Sequence, residues 1–161
     1  MSEIDIQNPQ GITLDEDQIR QAILVVLARH PQAQTASVTV VIADDEVVQT
    51  LNRQHRGVDT PTDVLSFPAD PLPPELAELE GLYLGDLVIA YPYASAQAKR
   101  LHHSLNDTLA LLVVHGTLHL LGYDHDTRSN RAQMWAEQSH ALEALNIDTA
   151  IVPALEDADH A

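Results

Sequence analysis

Three histidines in a fixed pattern constrain this chain more than any other feature. Residues 115–125 read His-Gly-Thr-Leu-His-Leu-Leu-Gly-Tyr-Asp-His, within an otherwise apolar stretch. On a helix, His115 and His119 project from one face about one turn apart, close enough to share an ion. Gly122 can end that helix, because glycine tolerates the left-handed backbone that turns a chain at a helix C-terminus. The turn then brings His125 back as a third ligand.

This ligand set indicates a catalytic zinc ion. A single histidine on an apolar helix is more often a satisfied core residue, but three with a glycine between the second and third favour a metal site. Three neutral imidazoles leave a fourth coordination position open, which is typical of catalytic rather than structural zinc. Imidazole also suits iron, nickel and copper, so the motif predicts one metal ion, with zinc the favoured identity.

The residue after the first histidine separates this motif from that of a protease. Metzincin proteases share the spacing but carry a glutamate there, the general base that takes a proton from the zinc-bound water. Here the position is Gly116, which cannot act as a base. The sequence therefore predicts that the metal activates water alone or with a base from another segment, and a zinc metallopeptidase becomes the alternative function.

Length, composition and charge set the outer limits. The chain has 161 residues, which fits one domain, and no cysteine, which is compatible with a reducing cytoplasm. A formal net charge of −16 argues against general attraction to nucleic acid, although it leaves room for a local site. The longest apolar run, residues 109–114, is too short to span a bilayer, and the N-terminus does not resemble a secretory signal. We expect a cytoplasmic protein that binds neither membrane nor DNA.

The hydropathy pattern predicts an α+β fold in a single domain over residues 1–152. Short β-branched runs and amphipathic segments indicate a small mixed sheet of about four strands packed with about five helices. The metal ligands then lie at the end of a buried helix, and residues 153–161 form an acidic, disordered tail. The two strands that flank the acidic loop at residues 70–81 are expected to run antiparallel. The predicted strands cover residues 4–7, 37–42, 63–67 and 84–90, and the predicted helices cover residues 15–30, 44–55, 92–103, 106–121 and 128–145.

Three blocks of this sequence resemble the YbeY family, bacterial endoribonucleases tied to ribosomal RNA maturation and ribosome quality control. The first block is the histidine motif. The second is Asn-Arg-Gln-His-Arg-Gly-Val-Asp-Thr-Pro-Thr-Asp-Val-Leu-Ser-Phe-Pro at residues 52–68, and the third, the least specific, is Gly-Asp-Leu-Val-Ile at residues 85–89. The blocks occur in the order that the family has, and the likeness runs from about the first predicted helix to the last.

The resemblance implies a function and a set of site residues. It implies a metal-dependent endoribonuclease that cuts single-stranded ribosomal RNA and binds the ribosome or ribosomal proteins. His115, His119 and His125 would hold the metal, usually zinc in this family, and Arg56 matches the family's functionally important arginine. Such an ion lowers the pKa of bound water from ~15.7 towards ~7 and polarises a phosphoryl oxygen, which is consistent with that activity.

Several alternatives stay open from the residues alone. Arg56 could pair with the non-bridging oxygens of a phosphodiester, or it could form an ion pair with Asp59 or Asp63 that fixes the loop; the resemblance favours the catalytic role. Asp124 could orient a histidine ligand or only form the turn. The whole protein could also be a non-catalytic ribosome assembly factor, whose metal ties the helix to the following loop.

Overall fold

The structure is a computed structural model that describes residues 3–60, 62–70 and 82–151. The predicted tail at residues 153–161 and most of the predicted acidic loop, residues 71–81, lie outside this part, so both stay predictions. The strands are β1 Ile4–Gln7, β2 Ser37–Ala43, β3 Val64–Pro68 and β4 Tyr83–Ala90. The helices are α1 Glu16–Ala28, α2 Asp45–Arg56, α3 Tyr91–Leu101, α4 Leu105–Leu120 and α5 Arg128–Ala144, with a 3-10 turn at Pro31–Ala33.

The four strands form one mixed sheet in the order β1-β2-β4-β3. The strands β1, β2 and β4 run parallel, while β3 is antiparallel to β4 and lies at the edge. This confirms the predicted mixed sheet of four strands and the predicted antiparallel pair. The described part of the chain also contains five helices, of which α2, α3 and α4 contact the sheet and α1 and α5 pack on α4, which confirms the α+β class.

The register of the strands divides the core between the two faces of the sheet. Successive residues of a strand point to opposite faces. Val64 and Leu87 accordingly pack with α1, α4 and α5 in the larger cluster, whereas Leu65 and Val88 pack with Val48 of α2 in the smaller one. The helices α4 and α2 therefore cover opposite faces of the sheet, and both border the edge strand β3.

The helix α4 is the central element of the larger layer. Its side chains are apolar on nearly every side, which is typical of a helix enclosed by its neighbours, and twelve of its sixteen residues are buried. Ser104 caps it by accepting from the backbone N–H of Asp107 at 3.0 Å. None of the helices in the described part of the chain combines the length and the apolar character that a membrane span requires. The predicted buried helix that carries the histidines is confirmed.

Candidate metal centre

The fold brings the three predicted ligands together. His115 and His119 lie on the last two turns of α4, and His125 follows the turn after that helix. One ring nitrogen of each histidine lies within 4.8 Å of the other two. His115 is fully buried, while His119 and His125 are half-buried.

The return of His125 depends on the turn that follows α4. Gly122 has a φ of 103°, in the region that favours glycine, as the sequence predicts. Asp124 then accepts a hydrogen bond at 2.8 Å from the backbone N–H of His125. Asp124 therefore acts as the turn-forming residue, and this contact holds the third histidine beside the other two.

Hydrogen bonds fix how the first two imidazoles face each other. The Nδ1 of His115 lies 2.6 Å from Oε1 of Gln138, and the Nδ1 of His119 lies 3.0 Å from the backbone carbonyl of Tyr123. Both partners are acceptors, so each neutral imidazole carries its hydrogen on Nδ1 and keeps a lone pair on Nε2. The two Nε2 atoms are 3.1 Å apart. Two lone pairs at that distance repel unless a proton or a metal ion lies between them.

A metal ion fits this donor set. Zinc bonds to imidazole nitrogen at about 2.0–2.1 Å. One ion can therefore contact the Nε2 atoms of both His115 and His119, because their separation of 3.1 Å is less than twice that bond length. Acceptors behind the metal-binding histidines are also typical of metal sites, because they fix the tautomer and raise the basicity of the ligand. His115, His119 and His125 can therefore hold one ion, with Gln138 and the Tyr123 carbonyl as the orienting groups.

Trp135 of α5 forms one wall of the cluster. Its ring stands edge-on to His115 and at a steep angle to His125, with centroid distances of 5.9 and 5.7 Å. The guanidinium of Arg131 lies over the face of the same ring, 4.8 Å from its centroid. The Trp135 indole thus covers His115 and His125 on this side, and the Arg131 guanidinium lies on its face.

Gly116 lies where α4 packs closely against the sheet. A Cβ atom added there would lie 2.7 Å from Cδ2 of Leu87 and 3.2 Å from Oγ of Ser66. The Ser66 hydroxyl donates to the Gly116 carbonyl at 3.4 Å. The protease glutamate is therefore missing at a position where even a Cβ atom would require the Leu87 side chain to shift.

The side chain of Tyr123 anchors the turn from the other side. Its hydroxyl lies 2.9 Å from Nε2 of His30 and donates to Glu137 at 3.5 Å, and Arg29 pairs with the same carboxylate at 2.9 Å. Burial and the negative charge of Glu137 raise the pKa of Tyr123. These contacts hold the backbone whose carbonyl orients His119.

Arg56, the predicted catalytic residue, lies at the C-terminus of α2 and is exposed. Its Nη1 donates to Oδ1 of Asn52 at 3.2 Å, and the buried Asn52 in turn donates to the Thr60 carbonyl at 2.9 Å. The ion pair with Asp59 is made by Arg53, at 3.5 Å. Arg56 thus belongs to the helix that packs on the other face of the sheet from α4, with β3 between them.

Two orienting groups were missed by the sequence reasoning. Gln138 is fully buried in the middle of α5, and a fully buried amide in an amphipathic helix needs a polar partner. That position was the available signal, since Gln138 shares a helix face with Met134 and Leu142. The Tyr123 carbonyl left no comparable signal, because backbone groups carry no sequence information.

Comparison with known proteins places the chain in a family. A family model described as Endoribonuclease YbeY matches residues 4–146. The chain belongs to the YbeY family. Proteins named Endoribonuclease YbeY include one from Pelotomaculum thermopropionicum, 41% identical over 146 residues, or 88% of this chain and 96% of the relative. Another, from Shouchella clausii, is 39% identical over 155 residues, or 89% of this chain and 96% of the relative.

A solved structure supports the same assignment. The solution structure of TM1509 from Thermotoga maritima superposes with a TM-score of 0.60 at 27% sequence identity, over 90% of this chain and 89% of that one. The predicted membership of the YbeY family is confirmed, and the described fold agrees with it.

Proposed function

We propose that this YbeY protein is a metal-dependent endoribonuclease that cuts single-stranded ribosomal RNA in the cytoplasm, in ribosomal RNA maturation and ribosome quality control. The observation that carries the proposal is the convergence of three histidines, two of them with Nε2 lone pairs 3.1 Å apart. The relatives at about 40% identity are named endoribonucleases, which supports RNA as the substrate. The ribosome or its proteins would be the partners that present it.

Zinc is the proposed ion, and the chain's own residues prepare its site. When bound, the ion supplies a Lewis acid for a phosphoryl oxygen and lowers the pKa of water. Gln138 and the Tyr123 carbonyl keep His115 and His119 in the tautomer that a metal needs. Trp135 excludes water from one side, which strengthens electrostatic interactions within the site.

Arg56 is the proposed catalytic arginine. Its exposed guanidinium is steadied by the buried Asn52, and a planar guanidinium suits the paired oxygens of a phosphodiester. Because α2 and α4 pack on opposite faces of the sheet and both border β3, we expect an RNA strand that contacts both Arg56 and the histidines to pass the β3 edge. The proposal therefore requires an extended, single-stranded substrate rather than a compact one.

The direct experiment is cleavage of a labelled single-stranded RNA and of its duplex by the zinc-loaded protein. We expect the single strand to be cut, and His125→Ala and Arg56→Glu to lose most of that activity. His125 is preferred over the buried His115 because its replacement disturbs the core less, and Arg53→Glu is the matched charge control on the same helix. Equal cleavage by wild type and His125→Ala, with folding checked by circular dichroism, would contradict the proposal.

The other two candidate functions predict different experimental results. A metal-dependent cut in a peptide library would indicate a metallopeptidase, which Gly116 argues against because it supplies no base where metzincins carry a glutamate. A ribosome assembly factor with a structural metal would bind ribosomes without cutting RNA. It would also keep that binding after the histidines are replaced.

A further inference from the structure

One face of α5 carries a basic and aromatic row that leads to the metal centre. Arg128, Arg131 and Trp135 are spaced by three and four residues, so they lie along the same side of the helix. Arg128 stands at the first position of α5 and Trp135 contacts two of the histidines. The row therefore runs from the helix N-terminus to the ligands.

The indole holds Arg131 in place. Its guanidinium carbon lies 4.8 Å from the centroid of the Trp135 ring, within the range of a cation–π contact. The ring itself is fixed by its packing against His115 and His125. A guanidinium oriented this way loses less side-chain entropy when it binds a phosphate.

Arg128, at the start of the row, differs from three other arginines in the charges that surround it. Arg20, Arg29 and Arg53 all lie within salt-bridge distance of carboxylates. In the described part of the chain, no carboxylate lies within that distance of Arg128, and the first turn of α5 contains no acidic residue. Backbone N–H groups at a helix N-terminus add partial positive charge. In a chain of net charge −16, residues 128–136 contain two arginines and no acidic residue, although Asp124 and Asp126 precede the helix.

We propose that Arg128, Arg131 and Trp135 form an RNA subsite beside the metal centre. The two guanidinium groups contact successive backbone phosphates next to the cleaved bond, and Trp135 is the positioning residue for Arg131. This inference rests on the proposed endoribonuclease function, and it adds that the RNA substrate also contacts α5. It also explains how a strongly acidic protein admits a polyanion, since phosphate contacts supply most of the sequence-independent affinity for nucleic acid.

The test is the affinity of the zinc-loaded protein for a fluorescent single-stranded RNA, measured by anisotropy in the cold before cleavage and at several salt concentrations. Arg131→Ala should raise the Kd about tenfold, the effect of losing one charge-assisted contact. Arg128→Ala and Arg131→Ala should each reduce the slope of log affinity against log salt by about 0.7. Trp135→Leu should weaken binding although the charge is kept, and Arg131→Lys should fall between wild type and Arg131→Ala.

The matched control is Arg20→Ala, which removes an exposed helix arginine that lies near Glu16 and Asp17. It should change neither affinity nor salt slope. If Arg131→Ala binds RNA as Arg20→Ala does while wild type still cleaves, the subsite is wrong and the proposed function stands. If Arg131→Ala lowers only the melting temperature, the residue is structural and the subsite is again wrong. A wild type that neither binds nor cleaves RNA overturns both proposals.

Discussion

Gln138 on α5 and His115 on α4 share a hydrogen bond of 2.6 Å between Oε1 of the amide and Nδ1 of the imidazole. Both residues are fully buried. The contact joins two helices and sets the tautomer of the first ligand, so the packing of α5 determines the chemistry of a residue on α4.

Replacement of Gln138 should therefore weaken metal binding. We expect Gln138→Leu to lower zinc affinity about 10–100-fold, the usual effect of removing the group that orients a ligand. The measurement is a competition titration against a chromophoric chelator. Gln133→Leu, an exposed glutamine on the same helix, is the control and should bind as wild type does. Unchanged affinity in Gln138→Leu would show that the contact does not serve the metal.

Removal of the metal should destabilise the protein. Without an ion, the Nε2 atoms of His115 and His119 face each other at 3.1 Å. At free zinc about 100 times the Kd, binding contributes about 2.7 kcal/mol, or about 5–10 °C in melting temperature for a domain of this size. Differential scanning fluorimetry with and without chelator measures this difference. His125→Ala should show a much smaller response, and an equal response would place the ion elsewhere.

A methyl group at position 116 should be costly. Gly116→Ala improves helix propensity by about 1 kcal/mol, but the new Cβ would lie 2.7 Å from Leu87 in a closely packed layer. Overpacking of this kind costs about 1–3 kcal/mol. We expect a net loss of stability in urea unfolding, partly relieved in the double variant Gly116→Ala/Leu87→Val. Independent, additive effects of the two substitutions would contradict the steric explanation.

The alkaline stability of the protein should depend on Tyr83. Burial of its hydroxyl and its hydrogen bond to Asp86 raise the pKa of Tyr83 above the ordinary value of 10.0. The unfolded chain therefore releases this proton at a lower pH than the folded protein does. The free energy of unfolding should fall as pH rises through about 10, and less steeply in Tyr83→Phe. Parallel pH profiles of the two proteins in urea would exclude the effect.

The sequence predicts the secondary-structure elements and the clustering of the three histidines, because each has a local cause. The helical spacing of His115 and His119 and the glycine at Gly122 depend on nearby residues alone. The strands follow from β-branched runs, and their bounds differ from the observed ones by at most one residue at either end. Tertiary contacts do not change structure that nearby residues determine in this way.

Positions set by contacts between distant elements were harder to predict. On α5, Ala132 is apolar but exposed. The buried side of α5 includes Met134 and Gln138, and the amide of Gln138 lies against His115. Arg56 is also assigned from resemblance alone, since its relation to the histidines depends on how two layers meet at β3.

The most direct test of the whole account is RNA cleavage as a function of metal occupancy. Metal-free protein is titrated with zinc while cleavage of single-stranded RNA and bound zinc are both measured. We predict that cleavage is absent in the metal-free protein and rises in proportion to occupancy up to one ion per chain, with no rise in His119→Ala. Full cleavage by protein shown to contain no metal would contradict the account.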